Sequence, residues 1–185
     1  MEKQKITREQ RAEKKKRQKK RQQYQADISS IFVNSGFSSL NVNGYQFPLG
    51  SRSNELDHCY IYENIMIACE DTIPFVEAKE TAKSESTPVN KNHKMEKEET
   101  ANIIRNNFCD FYQLLVNKFP KSEALKKYKP SEFKFFYLYF EYNLRKISDE
   151  DKDRYKNLII IDDPTFVYLR DISKCIKASF KYELF

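Results

Sequence analysis

The sequence predicts an α/β domain in which a mixed sheet of about five strands is flanked by helices, with a basic helix at the N-terminus. Two continuous apolar runs, residues 65–69 and 158–161, are typical of strands buried on both faces. Helical stripes of apolar residues alternate with the expected strands, which favours helices on both sides of the sheet. Most of the excess positive charge lies near the N-terminus, and we therefore divide the chain into a basic helical extension (1–26) and an α/β domain (27–185).

The net charge of the chain is concentrated in one segment. Residues 1–26 hold eleven Lys and Arg residues against three Glu, a net charge of +8, whereas the remaining 22 basic and 24 acidic residues give −2. Residues 8–25 contain no Gly, Pro or β-branched residue, and Thr7 and Gln10 have the spacing of a capping box, so a helix is expected. Gly36 is the expected C-cap. The helix should pack on the domain only near its end, through Ile28, Ile31, Phe32 and Val33.

Three strands are expected after this helix. Residues 44–50 alternate like a short strand that ends in a turn. Residues 57–62 lead into a hairpin turn at Glu63-Asn64, and the apolar run 65–69 follows. Two later strands are expected at residues 133–140, which are rich in aromatic side chains, and at residues 158–161.

The segment after the third strand is polar and charged and contains Pro74 and Pro88, which predicts a mobile loop at about residues 73–94. A helix is expected from about Met95, with a stripe formed by Ala101, Ile104, Phe108, Phe111, Leu115 and Phe119. A polar helix or loop is expected around residues 148–154. The last helix has a stripe formed by Phe166, Leu169, Ile172, Ile176 and Phe180. Its apolar, uncapped end indicates a piece of a larger protein or a helix that docks on another protein chain.

Composition excludes several classes of protein. No apolar run approaches the roughly 18–20 residues that span a bilayer, and the N-terminus lacks the apolar core of a signal peptide. We therefore expect a cytoplasmic protein with no membrane partner. The cysteines are too far apart for a CxxC motif and are expected to be reduced thiols rather than zinc ligands: Cys59, Cys69, Cys109 and Cys175.

Acidic residues flank the two strands of the expected hairpin. Asp57 begins one strand, and Glu70, followed by Asp71, ends the other. If the strands pair, Asp57 and Glu70 lie at the same end of the sheet. Carboxylates that converge there provide the hard oxygen ligands that Mg²⁺ prefers, with open positions for water and a phosphate. The alternative is that these acids only decorate strand ends and turns, as acids commonly do.

The order helix, three strands, helix, strand, with acids at Asp57 and Glu70, resembles the PD-(D/E)xK restriction-endonuclease-like nucleases. The resemblance covers roughly residues 27–165. It implies the fold of that family, Asp57 and Glu70 as ligands of Mg²⁺ or Mn²⁺, and a lysine two residues after the second acid that positions or activates the attacking water. The chain departs from the pattern at two positions, where Leu56 replaces the proline and Thr72 replaces the lysine.

The missing lysine has two explanations. Some members of that family supply the cation from the following helix, and Lys94 or Lys97 would then point back toward Glu70. Alternatively, the chain resembles an inactive member that keeps the fold and binds without cutting. The segment Glu77-Ala78-Lys79 reproduces the letters E-x-K, but it lies in the polar loop and we set it aside.

A weaker resemblance joins residues 54–72 and the start of the following helix to the N-terminal part of bacterial DGQHR-domain proteins, although the DGQHR motif is absent. It implies a role in DNA modification or phage defence. His58 is expected on the opposite face of the sheet from Asp57, because adjacent strand residues point in opposite directions. His93 is expected to be solvated. The pair Asp162-Asp163 is expected to cap the last helix rather than to extend an acidic site.

The basic segment is suited to phosphate contacts, which would make binding dependent on salt and insensitive to nucleic-acid sequence. Its clusters also resemble a nuclear localisation signal. The alternative is a solvated helix that aids solubility or contacts an acidic partner. The candidate nucleic-acid-binding residues are Lys14, Lys15, Lys16, Arg17, Lys19, Lys20 and Arg21.

Together these observations predict a metal-dependent nuclease-like domain that acts on DNA, in which water attacks the phosphodiester in line. Asp57 and Glu70 would bind the metal, and Lys94 or Lys97 would stabilise charge. The alternative is a catalytically inactive nucleic-acid or protein interaction module that uses the basic N-terminal helix. Ser131 and Ser148 have no plausible His and Asp partners, so a nucleophilic hydrolase is not expected.

Overall fold

The computed structural model describes residues 8–40, 42, 46–49, 52–72, 88–141, 148–155 and 157–175. Within these ranges no helix is both long and apolar enough to cross a membrane. In chain order the elements are α1 (Arg8–Asn34), β1 (Ser38–Leu40), β2 (Gln46–Leu49), β3 (Arg52–Glu55), β4 (His58–Tyr62), β5 (Ile65–Thr72), α2 (Pro88–Asn106), α3 (Phe108–Lys118), α4 (Glu123–Lys127), a 3-10 turn (Pro130–Glu132), β6 (Lys134–Glu141), α5 (Asp149–Arg154), β7 (Ile159–Ile161) and α6 (Asp163–Cys175).

Five of the strands form one mixed sheet in the order β1-β4-β5-β6-β7. The pairs β1/β4 and β4/β5 are antiparallel, whereas β5/β6 and β6/β7 are parallel. Parallel pairing requires a crossover, and the segment from α2 to the 3-10 turn provides it between β5 and β6. The predicted α/β class and the mixed five-stranded sheet flanked by helices are confirmed.

Apolar side chains cover both faces of this sheet. On one face, residues of α2 and α3 such as Ala101 and Leu115 pack with alternate residues of β4 and β5, among them Cys59 and Ala68. On the other face, residues of α1 and α6 pack with the intervening residues. The ring of Phe32 in α1 stacks on Tyr60 in β4 with 4.4 Å between centroids. We call these the α2 face and the α1 face.

Helix α1 changes character along its length. The side chains described in its N-terminal half are exposed, and burial begins at Tyr24 and continues through Ile28 and Phe32. The helix ends in a Schellman motif, in which the Phe37 N–H donates to the Phe32 carbonyl at 3.0 Å and Gly36 has a φ of 88°. The expected C-cap is therefore confirmed. Val33 was expected in the core but is 50% exposed, because it lies on the outer side of this last turn.

The first strand of the sheet differs from the expectation. The sheet begins with β1, a three-residue strand too short to show a periodic pattern, whereas the expected strand at 44–50 falls partly on β2. Strand β2 pairs with β3 in a separate two-stranded hairpin with Gln46 opposite Glu55. Residues 43–45 and 50 lie outside the described residues.

The helix after β5 begins earlier than expected and is interrupted. Helix α2 starts at Pro88, so residues 88–94 are helical and the predicted loop at 73–94 is wrong over that part; residues 73–87 lie outside the described residues. Proline is favoured in the first turn of a helix because its missing N–H would be unpaired there anyway. The single stripe from Ala101 to Phe119 is divided between α2 and α3 by a turn at Asn107. Ile176 and Phe180 lie outside the described residues.

Candidate active site

The hairpin of β4 and β5 brings Asp57 and Glu70 together. His58 pairs with Cys69 at the end of the antiparallel register, and Asp57 and Glu70 are the residues next to this pair on the two chain segments. Residues directly opposite in an antiparallel pair have side chains on the same face of the sheet. We call the end of the sheet that carries Asp57, Glu70, Asp71 and Glu141 the acidic end.

Asp57 is held by the main chain of the neighbouring strand. The Asp71 N–H donates to Asp57 Oδ2 at 2.9 Å. Burial raises the pKa of the Asp57 carboxyl, and the nearby charge of Asp71 raises it further. The main-chain hydrogen bond, His58 and Lys97 all oppose this increase in the pKa of Asp57. The carboxylate thus lies in a site where added positive charge would stabilise its ionised form.

Glu70 is buried on the α2 face, with 1% of its surface exposed. The Lys97 ammonium contacts Glu70 Oε2, and the Tyr137 hydroxyl donates to Glu70 Oε1. Lys97 comes from α2 and Tyr137 from β6, so three elements meet at this carboxylate. The structure therefore places a lysine of the following helix on Glu70, although no lysine follows Glu70 in its own strand.

Lys94 does not reach Glu70. Its Nζ lies 3.4 Å from Glu141 Oε2, and both side chains are almost fully buried. Lys94 precedes Lys97 by three residues, so both lie on one side of α2, but Lys94 is displaced along the axis by about 4.5 Å. This displacement brings Lys94 next to Glu141 at the end of β6. In the parallel register Glu141 pairs with Thr72 and not with Glu70. The expectation that either lysine could serve Glu70 is thus resolved in favour of Lys97.

Asp71 lies against the α1 face. Its Oδ2 is 3.3 Å from His58 Nε2 and accepts a hydrogen bond from Gln25 Nε2 of α1 at 3.2 Å. Its side chain is fully buried, and Oδ1 has no hydrogen-bond partner among the described residues. His58 contacts Asp71 and not Asp57, as expected from the alternation of side chains along the strand.

The acidic end contains more negative than positive charge. Four carboxylates and the ammonium groups of Lys94 and Lys97 leave a formal charge of −2 among the described residues, with His58 neutral. The carboxylates are distributed over both faces of the sheet. In the part of the chain that the structure describes, no three His, Cys, Asp or Glu side chains converge on one point where a metal ion could bind.

Burial lowers the pKa of Lys97 from its ordinary value of 10.5 to about 8, and the negative charge of Asp57 opposes this decrease. We expect the ¹³Cε resonance of Lys97, assigned by its loss in Lys97→Arg, to titrate with a midpoint near pH 8. In Asp57→Asn the midpoint should move to lower pH, because a charge that favours the ammonium is removed. A midpoint at or above 10.5 in the unmodified chain would contradict this environment.

Sequence reasoning missed Tyr137, Glu141, Asp71 and Gln25 as members of the site. Glu141 could have been predicted from the sequence, because it follows a run of aromatic residues just as Glu70 follows a run of apolar residues. Tyr137 carried no such signal, because five of the eight residues of β6 are aromatic. Asp71 was noted only as the neighbour of Glu70.

The other candidate residues lie away from the acidic end. The basic residues from Arg8 to Arg21 whose side chains are described are exposed on α1, while Lys3, Lys5 and the side chains of Arg17 and His93 lie outside the described residues. Asp162 Oδ1 accepts hydrogen bonds from the main-chain N–H and the hydroxyl of Thr165, so Asp162 caps α6 as expected. Its other carboxylate oxygen lies 3.1 Å from Lys152 Nζ.

Comparison of the chain with family models, with curated proteins and with solved structures finds no match in any of the three.

Proposed function

We propose that the α/β domain is a metal-dependent nuclease-like domain that acts on DNA. The observation that supports this most is the meeting of Asp57, Glu70 and Lys97 on one face at one end of the sheet. Two acids from neighbouring strands with an ammonium group beside them form the set that the nuclease resemblance implies. The ammonium comes from α2, which replaces the lysine missing at Thr72.

The topology supports the finer proposal of a restriction-endonuclease-like fold. Leaving out the β2-β3 hairpin and counting the segment from α2 to the 3-10 turn as one helical connection, the chain runs α1, β1, β4, β5, helical connection, β6, which is the order helix, three strands, helix, strand. The first three strands are antiparallel neighbours and β6 is parallel to β5. In this arrangement Glu70 lies in the central strand β5, and Asp57 directly precedes the neighbouring strand β4.

The residues fit a hard divalent cation in charge and in ligand type. The acidic end carries a formal charge of −2, and Asp57 and Glu70 each supply carboxylate oxygens there, with Lys97 close to both. Carboxylate oxygens are the preferred ligands of Mg²⁺ and Mn²⁺. Asp57 and Glu70 would hold the ion, which would polarise the phosphodiester and activate water for attack.

The chain's own side chains have distinct roles in this proposal. Lys97 Nζ, with a pKa of about 8, holds a proton on a large fraction of molecules near neutral pH and is deprotonated on the rest. It can therefore stabilise negative charge on the reacting phosphate or accept a proton from water. Tyr137 fixes the orientation of the Glu70 carboxylate through its hydroxyl. The Lys94–Glu141 pair holds α2 against β6 and thereby positions Lys97.

A cleavage assay with a panel of metals tests the proposal. Duplex DNA should be cut in Mg²⁺ or Mn²⁺, not in EDTA, and not by Asp57→Ala or Glu70→Ala. Ca²⁺ should bind without supporting cleavage, because it is larger and less demanding in geometry than Mg²⁺. The enzyme proposal is lost if the unmodified chain cuts no DNA or RNA with any of these metals, or if both variants cut normally.

A second candidate function is a non-catalytic binding module with the same fold. One observation favours it: both oxygens of Glu70 already have partners, Lys97 and Tyr137, within the protein. A carboxylate satisfied in this way also stabilises a domain that has no metal. This candidate predicts DNA binding without cleavage and no change in stability when Mg²⁺ is added.

A further inference from the structure

The N-terminal half of α1 extends from the domain as a charged rod. The helix has 27 residues, about 40 Å at 1.5 Å per residue. Burial begins only at Tyr24, and every residue from Arg8 to Gln23 whose side chain is described is exposed. This exposed part, about 24 Å long, contains eight basic residues with described side chains: Arg8, Arg11, Lys14, Lys15, Lys16, Lys19, Lys20 and Arg21.

The basic residues are unevenly distributed around the helix. At roughly 100° per residue, six of the eight lie within an arc of about 160°, which we call the basic side: Arg8, Arg11, Lys14, Lys15, Lys19 and Arg21. The other two, Lys16 and Lys20, share an arc of about 60° with Glu9 and Glu13. Charge is thus balanced on one side of the rod and strongly positive on nearly half of its circumference.

No apolar stripe accompanies this charge. Among the described side chains from Arg8 to Gln23, Ala12 is the most apolar, so the exposed part has nothing to insert into a lipid bilayer or to pack on another helix. A partner must therefore be recognised through negative charge. A wide basic side also differs from a narrow basic stripe, because it can contact two rows of anions that lie on either side of the helix.

The basic side leads to the acidic end of the sheet. Gln25 follows Arg21 by four residues, so the two lie on the same side of α1, one turn apart. Gln25 also donates its hydrogen bond to Asp71, which neighbours Glu70. A polyanion that follows the basic side toward the domain therefore arrives at the α1 face of the acidic end, beside Asp71 and one residue along the strand from Glu70.

We propose that the basic side of α1 lies in the major groove of duplex DNA and directs the duplex to the acidic end. The major groove of B-form DNA is about 12 Å wide and admits an α-helix between two rows of phosphates. The major groove of A-form RNA is deep and narrow and does not. The docking of DNA on α1 does not depend on catalysis. That the docked duplex is a substrate for the acidic end rests on the proposed function.

Two double variants with the same change in charge test the proposal. Lys14→Gln/Arg21→Gln removes two charges from the basic side, and Lys16→Gln/Lys20→Gln removes two from the opposite side. Affinity for a 24-bp DNA duplex is measured by fluorescence anisotropy in EDTA, so that no cleavage occurs. With about six phosphate contacts, the plot of log affinity against log salt should have a slope of about −5 for the unmodified chain.

The basic-side variant should bind at least about tenfold more weakly at 0.1 M salt, with a slope smaller by about two, whereas the matched variant should stay within about threefold. Equal losses in the two variants would overturn the proposal. Equal affinity for an RNA duplex of the same length, or for polyglutamate, would also overturn it, the latter in favour of a general response to charge. All four substituted residues are exposed, so folding is not at issue.

A cross-linking pair tests the side of the helix directly. Gln22 lies on the basic side and Gln23 on the other, although they are adjacent and both exposed. A photo-reactive benzophenone side chain should cross-link to the duplex from position 22 and not from position 23. Equal cross-linking would overturn the proposed orientation. If DNA binds in this orientation but is not cut, the proposed nuclease function is wrong and the proposed docking still holds.

Discussion

Lys97→Met is expected to lower the free energy of unfolding by about 3–5 kcal/mol, because it leaves a buried carboxylate without its cation. Glu70 is 1% exposed and contacts the Lys97 ammonium, while its other oxygen accepts a hydrogen bond from the Tyr137 hydroxyl. Methionine matches the lysine side chain as far as its ε-carbon and lacks the terminal ammonium, so the loss comes chiefly from charge. Urea denaturation followed by circular dichroism measures the difference.

The matched control for this prediction is the double variant Lys97→Met/Glu70→Gln. Removing both charges should recover most of the lost stability, since a neutral amide can still accept the Tyr137 hydrogen bond. A double-mutant cycle with Glu70→Gln alone isolates the coupling between the two side chains. If Lys97→Met unfolds at the same urea concentration as the unmodified chain, the Lys97–Glu70 contact does not exist in solution.

Asp57→Asn is expected to reduce Mg²⁺-dependent cleavage by about 10³-fold or more while keeping the fold, because the proposed metal loses an anionic ligand. Asparagine can still accept the hydrogen bond from the Asp71 N–H that holds Asp57 in place. Since burial raises the pKa of Asp57, its ionised form is disfavoured in the folded chain, and the neutral amide should raise the free energy of unfolding at neutral pH. A variant that is more stable and less active is the signature of a functional charge.

The control with the same change in charge is Glu99→Gln, an exposed position of α2. It should change neither cleavage nor stability by a measurable amount. Mg²⁺ titration by calorimetry provides a readout that does not depend on turnover, and Asp57→Asn should lose most of the binding heat. Normal cleavage by Asp57→Asn would separate Asp57 from the chemistry, whatever its effect on stability.

The hairpin at the centre of the site could be predicted from local signals. The turn at Glu63-Asn64 between two apolar strands sets the antiparallel register, and that register alone brings Asp57 and Glu70 to the same end of the hairpin. The sequence could also restrict the cationic partner of Glu70 to a lysine near the start of the helix that follows β5. Which of Lys94 and Lys97 contacts Glu70 depends on the axial position of α2, which no local pattern determines.

The remaining contacts depend on long-range pairing. Tyr137 meets Glu70 because β6 pairs with β5 in a parallel register across the whole segment from α2 to the 3-10 turn. The sequence of an aromatic strand does not indicate its register relative to the neighbouring strand. The start of α2 was missed for a different reason, because Pro88 is compatible both with a loop and with the first turn of a helix.

The unbroken course of α1 has a mechanical consequence. One continuous helix contains both the exposed rod and the turns that bear Phe32 against Tyr60 and Gln25 against Asp71. Because the helix is continuous, a displacement of its exposed half is transmitted to the turns that pack on the domain. Gln25 lies where the exposed half meets those turns. Thermodynamic reciprocity then requires that, if a ligand bound on the exposed half of α1 changes the affinity of the acidic end for a second ligand, the second ligand changes the affinity of the exposed half for the first by the same factor.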